Sequence, residues 1–266
     1  MKRILLVEFK RMLKCKSLFI SIFFSISMVF LSYLDCIKIY MPEKNARAHS
    51  FIVAWLPLDF QYPYGMMFVA LIPIIACIPY SGTYYIDLKS GYLKNILQKV
   101  SSRKYFICKY IVCFTVGALS ILIPLFVSFL LASSFLPISK PEPFAYENYL
   151  TDTSFLTYFF YQKPVLYVFC YLFLDSFWGG IFAVSSLCIA RYVNSLFAVL
   201  VLPFAFYMGT AALFEQFDMT TISLYAMANP LQPYQLNGIC VFVISMCLFL
   251  FTIYFFCVKE RSKEVF

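Results

Sequence analysis

Asp175 is the acid of this chain best placed to act within a membrane. It lies in Leu172-Phe173-Leu174-Asp175-Ser176-Phe177-Trp178-Gly179-Gly180, near the middle of a long apolar run. A carboxyl at the centre of a bilayer costs about 2.5–3.5 kcal/mol even on an insertion scale, so it should face a cavity or a partner. One reading makes it a pathway or gating residue, suited to a cationic substrate. The other makes it a protonated or hydrogen-bonded acid that closes a helix contact. The ingredients of catalysis are missing. His49 is the only histidine and lies in a polar segment; there is no H-E-x-x-H motif and no second histidine for a metal site. Ser176 follows Asp175, but adjacent residues of a helix point apart, and a serine nucleophile needs a base within reach. Ten cysteines (Cys15, Cys36, Cys77, Cys108, Cys113, Cys170, Cys188, Cys240, Cys247 and Cys257) include no CxxC pair. Most sit in apolar runs, unlike the clustered spacing of disulfide or zinc frameworks, and read as small packing residues. The expectation is a non-enzymatic chain with no metal and no cofactor of its own.

Two basic segments carry a different kind of chemistry. Residues Asp87–Lys104 read DLKSGYLKNILQKVSSRK. Tyr92, Leu93, Ile96, Leu97 and Val100 fall on one face of a helix, with Lys89, Lys94, Gln98 and Lys99 elsewhere on it. A short amphipathic helix between two spans must bury its apolar face, in a partner's groove or in the lipid interface. At the N-terminus, Ile4, Leu5, Phe9 and Met12 recur near helical spacing among Lys2, Arg3, Lys10 and Arg11. That pattern predicts an interfacial helix whose cations meet anionic lipid.

These segments are positioned by a membrane bundle. The chain has 266 residues, 62% hydrophobic and 13% charged, with a mean hydropathy of +0.82; soluble domains are about a quarter charged. The 32 Phe and 21 Tyr suit lipid and its interfaces. Apolar runs predict six helical spans at 17–37, 65–86, 106–136, 165–190, 195–214 and 237–258, each long enough to cross. They are too long and too uniform for barrel strands. The fold class expected is all-α: a polytopic membrane helix bundle, one domain over residues 1–266, with an interfacial helix at 1–16 and a loop at 87–104. The first run is longer than a signal-peptide core and reads as a retained span.

Lys and Arg concentrate before the first span, between the second and third, at Arg191, and at Lys259, Arg261 and Lys263. The alternate loops carry few bases and most of the acids. By the positive-inside rule both termini are cytoplasmic, and the net charge of +8 reports topology, with no nucleic-acid partner. Pro73, Pro79, Pro124 and Pro203 should kink or break their spans. Gly179 and Gly180 permit close helix approach. Residues 215–237, partly apolar with Pro230 and Pro233, read as a hairpin dipping back into the outer leaflet.

Asp87, Ser90-Gly91, Leu93, Ile96-Leu97, Val100-Ser101, Arg103 and Lys109 together resemble the loop between the second and third spans of the type-two ATP-binding-cassette (ABC) permease family. Asp87 stands where Glu is common, and Ser102 is an extra residue before Arg103. Glu8-Phe9-Lys10-Arg11 is similar to that family's elbow helix, and Asn229-Pro230-Leu231 to its last external segment. The resemblance implies a coupling helix formed by Asp87, Ser90, Gly91, Tyr92, Leu93, Ile96, Leu97, Val100 and Arg103. It also implies a second permease copy or a related permease, membrane lipid, and ABC ATPase subunits that dock on the coupling helices. The chain has no G-x-x-x-x-G-K-[ST] phosphate loop, so ATP and Mg are expected on a partner ATPase. The function implied is the permease subunit of an exporter in a cell membrane, such as a bacterial plasma membrane. It would move an amphipathic or hydrophobic peptide, drug or lipid outward, including efflux of antimicrobial peptides. The competing class is a non-transporting membrane protein that binds, senses or sequesters a peptide. A neighbouring gene for a soluble ATPase would discriminate the two.

Overall fold

Lipid offers the backbone no hydrogen-bond partner, so each long apolar run closes its bonds within itself as a helix. A computed structural model describes residues 2–40, 50–55, 63–141, 150, 154–232 and 235–260; His49 and much of the two longest polar segments lie outside them. The chain is all-helical among the described residues, in the order α1 (Lys2–Leu13), α2 (Lys16–Tyr40), α3 (Phe51–Ala54), α4 (Pro63–Cys77), α5 (Gly82–Lys89), α6 (Tyr92–Leu97), α7 (Ser102–Phe135), α8 (Thr157–Gln162), α9 (Pro164–Ile189), α10 (Leu196–Gln216), α11 (Leu224–Met227) and α12 (Gly238–Ile253). A π-helical stretch, Tyr254–Glu260, continues α12. Six helical segments are long and apolar enough to span a membrane: Lys16–Lys38, Pro63–Lys89, Ser102–Phe135, Pro164–Ile189, Leu196–Gln216 and Gly238–Val258. The chain is a multi-pass helical bundle.

Helix α9 is its axis. Of its most apolar window 72% is buried, against 17% for α10, so α9 is packed by protein while most of α10 faces outward. The tightest crossing is between α7 and α9. A Cβ added to Gly117 would stand 2.8 Å from the Gly179 carbonyl oxygen, and one added to Gly179 would stand 2.7 Å from Ile121 Cγ1. The two glycines therefore let the backbones touch.

The prolines act in different ways. Pro73, Pro124 and Pro203 lie inside continuous helices, whereas Pro79 sits in the turn that separates α4 from α5. Proline supplies no N–H to the carbonyl four residues earlier. For Pro79 that carbonyl is Ile75, and the Ser21 hydroxyl of α2 donates to it at 2.8 Å. For Pro73 it is Val69, and the Tyr207 hydroxyl of α10 donates to it at 3.2 Å. Two carbonyls freed by proline thus become the acceptors that tie α4 to its neighbours. Ser17 adds a bond to the Pro79 carbonyl at 2.9 Å.

Two buried cores follow one another along the bundle. The smaller joins Met12, Leu18, Tyr84, Leu93, Tyr105 and Phe256 near the N-terminal end. The larger runs through α4, α7 and α9 and takes in Leu224, Ala226, Met227 and Leu236. These last belong to the segment read as a re-entrant hairpin; they pack against the bundle, whereas Phe217 and Met219 of the same segment are exposed. Gln232 fixes the packed part there, donating to the Phe155 carbonyl at 2.6 Å and the Tyr167 hydroxyl at 3.2 Å.

Candidate functional site

Helix α6 is set at a sharp angle by one residue. α5 ends at Lys89, and Gly91 then takes φ 73°, a left-handed value that costs a residue with a Cβ roughly 1–2 kcal/mol. Ser90 N–H bonds back to the Ile86 carbonyl and Gly91 N–H to that of Leu88, closing α5; Lys94 N–H bonds to the Gly91 carbonyl, opening α6. The Ser-Gly of the loop is the hinge between the two helices.

The apolar face of α6 turns into the chain itself. Leu93 is buried beside Met12, Tyr84 and Tyr105, and Ile96, Leu97 and Val100 pack on the same core. Ile96, Leu97 and Val100 are only half-buried there, so the chain covers in part the face that the resemblance assigns to an ATPase. Tyr92, Lys94, Asn95, Gln98 and Lys99 stay exposed, as do Ser90 and Arg103.

Beneath α6 lies a cluster of four charged side chains and two phenols, from α1, α5, α7 and the turn between α4 and α5. Asp87, at the end of α5, is 2% exposed. Its Oδ1 accepts from Arg11 Nη2 at 2.7 Å, and its Oδ2 from Arg11 Nη1 at 3.2 Å, Lys109 Nζ at 3.1 Å and the Tyr105 hydroxyl at 3.3 Å. Lys109 and Glu8 are both fully buried, and Lys109 Nζ donates to Glu8 Oε2 at 3.1 Å. Arg11 reaches Glu8 Oε1 at 3.3 Å, and the Tyr80 hydroxyl donates to Glu8 Oε2. Two carboxylates against two cations leave the cluster neutral, the condition under which buried charges are tolerated. Hydrogen bonding to Asp87 raises the Arg11 guanidinium above its ordinary pKa; burial works against this, and the charges of Asp87 and Glu8 reinforce it. A raised pKa on a base keeps its contribution in place until strongly alkaline pH, so Arg11 is a permanent strut at physiological pH.

The cluster corrects the reading of Arg11 and Lys109. Lys2, Arg3 and Lys10 point outward from α1, as a lipid-facing set would. Arg11 turns inward, its guanidinium also 4.9 Å from the Tyr92 ring centre. Lys109, which belongs to the loop motif of the resemblance, is sealed one turn beyond Tyr105. Glu8, Tyr80 and Tyr105 were not singled out as site residues. A signal existed: Glu8 is the only acid before Asp35, and Lys109 stands inside an apolar run.

The site is also braced sideways. The Tyr85 hydroxyl donates to the Asn194 carbonyl at 2.6 Å, and Lys89 Nζ to Asn194 Oδ1 at 3.1 Å, joining α5 to the turn between α9 and α10. Tyr84 and Phe106 pack edge-on against Phe256 of the C-terminal stretch at 5.2 and 5.4 Å. Asp175, the other candidate, lies far along α9 in the larger core, wholly buried, and joins no part of this cluster. No family model, curated protein or solved structure matches the chain.

Proposed function

We propose that this chain is the permease subunit of an ATP-driven exporter of the type-two ABC kind, paired with a second permease and powered by ATPase subunits on separate chains. The observation that carries this reading is the convergence on Asp87. The carboxylate at the foot of α6 is gripped by Arg11 of α1 and by Lys109 and Tyr105 of α7. A push on α6 therefore moves α1, α5 and α7 together, because stretching any of these buried ion pairs is costly. A helix that projects a polar, basic face while its apolar face is locked to the bundle suits a mechanical input better than a ligand site. The surface it offers an ATPase is Tyr92, Lys94, Asn95, Gln98 and Lys99, so the partner's receiving groove should be acidic.

Purification in detergent with candidate ATPases tests this. An ATPase should co-elute with the chain and be lost with the double variant Lys94→Glu, Lys99→Glu. Asp87→Asn should retain the ATPase but uncouple hydrolysis from transport. The reading fails if no ATPase associates, or if one associates equally well with the charge-reversed α6.

A further inference from the structure

Asp175 breaks the pattern of the other buried acids. Glu8 and Asp87 meet cations; neither carboxyl oxygen of Asp175 has a hydrogen-bond partner among the described residues, although the side chain is 0% exposed. Buried polar atoms are almost always satisfied, and an orphan points to a missing partner. The surroundings indicate its chemistry. Tyr171 precedes Asp175 by one turn of α9 and Trp178 follows by one turn; both are buried, and the indole Nε1 is likewise unpartnered. The rings form two contacting sets on α9 and α10, Tyr167–Tyr171 at 5.0 Å on one side of Asp175 along the helix, and Trp178–Phe182 at 5.9 Å with Phe182–Tyr207 at 5.4 Å on the other.

An acid embedded among aromatic rings attracts organic cations twice, through its formal charge and through the ring quadrupoles, and both terms strengthen in a low-dielectric interior. A hard divalent ion would need several more oxygens, and an anion would be repelled. We propose that Asp175, Tyr171, Trp178 and Tyr207 form a binding site for the cationic group of a hydrophobic amine or quaternary ammonium compound. Entry requires α10 to move, since its Tyr207 belongs to the site and is latched to the Val69 carbonyl of α4. α10 is also the most outward-facing of the six spans. The proposal rests on the exporter reading only for the ligand's onward route; binding itself needs no ATPase.

Trp55 and Trp178 are the only tryptophans, so Trp55→Phe leaves Trp178 as sole reporter. That variant, in phosphatidylcholine nanodiscs, is titrated with tetraphenylphosphonium and, as a control of matching shape and opposite charge, tetraphenylborate. Saturable quenching by the cation is expected, none by the anion, and about ten-fold or greater weakening in Asp175→Asn. No saturable cation binding, comparable borate binding, or undiminished affinity in Asp175→Asn would each overturn the site. Should Asp175→Asn not fold, dicyclohexylcarbodiimide labelling of Asp175, read by peptide mass, replaces it. Protection by tetraphenylphosphonium alone supports the site, and its failure to protect refutes it. Cation binding without any associated ATPase would sink the exporter reading and leave the site standing. An associated ATPase without cation binding would do the reverse.

Discussion

At Lys109 the chain holds an ammonium group with no access to water, and its energetics are set by partners more than by solvent. Both Glu8 and Asp87 lie 3.1 Å from it, so removing the cation leaves two carboxylates in a low-dielectric site with only Arg11, which is one-third exposed. Lys109→Met should destabilise the chain by about 3–5 kcal/mol, read as a lowered thermal midpoint in detergent. Adding Glu8→Gln to that variant restores neutrality and should recover part of the loss. A second deletion that makes matters worse would show that the cluster is not charge-balanced as described. Gly91 offers a separate test, since its role is conformational. Gly91→Ala has open space for its methyl but must hold φ near 73°, so it should cost roughly 1–2 kcal/mol. A loss of ATPase association should accompany it while the bundle stays folded. An Ala variant that matches the parent in both respects would remove the hinge argument.

Helices in this bundle are joined where their own backbones are incomplete or bare. Pro79 and Pro73 each free a carbonyl, and a hydroxyl from a different helix fills each gap. Ser21→Ala should therefore cost about 1–3 kcal/mol, the penalty of an unsatisfied buried acceptor. In a Pro79→Ala background, where α4 can supply its own N–H, the same substitution should cost much less. Thermal unfolding of the four proteins of that cycle measures the coupling, and an additive result would mean Ser21 acts by something other than proline repair. The α7–α9 crossing tests packing in the same way. Gly179→Leu places a side chain against the Gly117 carbonyl and Ile121, where backbone cannot yield cheaply, and it should abolish a monodisperse folded product. Gly209→Leu on α10, where nothing lies within 4 Å, is the matched control and should fold.

The whole molecule is arranged so that one end is dense with charge and the axis is dry. At the basic end α1, α5 and α7 are clamped by ion pairs, α6 meets Arg11 through the Tyr92 ring, the α9–α10 turn is held through Asn194, and Phe256 packs against Tyr84 and Phe106. At the other end α11 and the residues after it fold into the larger core. Sidedness is a prediction at this scale. In a cysteine-free background, a single cysteine at Lys94 should react with an impermeant maleimide only after permeabilisation, and one at Lys163 in intact cells. The opposite pattern would put α6 outside, out of reach of any cytoplasmic ATPase.

Composition and run length alone determined the solvent, the helical class and the six membrane-length segments, because lipid permits so few ways to satisfy a backbone. Gly179 was also legible as a close-contact residue, since the absence of a Cβ is a local property, whereas its partner Gly117 and the turn at Gly91 emerged only from the fold. What periodicity could not decide was which neighbour an amphipathic face would meet. Leu93 and Ile96 have the spacing of a docking face; packing buries Leu93 in the chain's own core and leaves Ile96 half-buried beside it. Nor could spacing along the chain reveal that Glu8, Asp87 and Lys109, up to 101 residues apart, converge on one another. The pairing of buried charges is fixed by how helices cross, and crossings are settled by contacts between distant residues such as Gly117 and Gly179. Asp175 lies between the two cases: its burial was readable from sequence, but that no donor among the described residues reaches its carboxyl emerged only from the packed bundle.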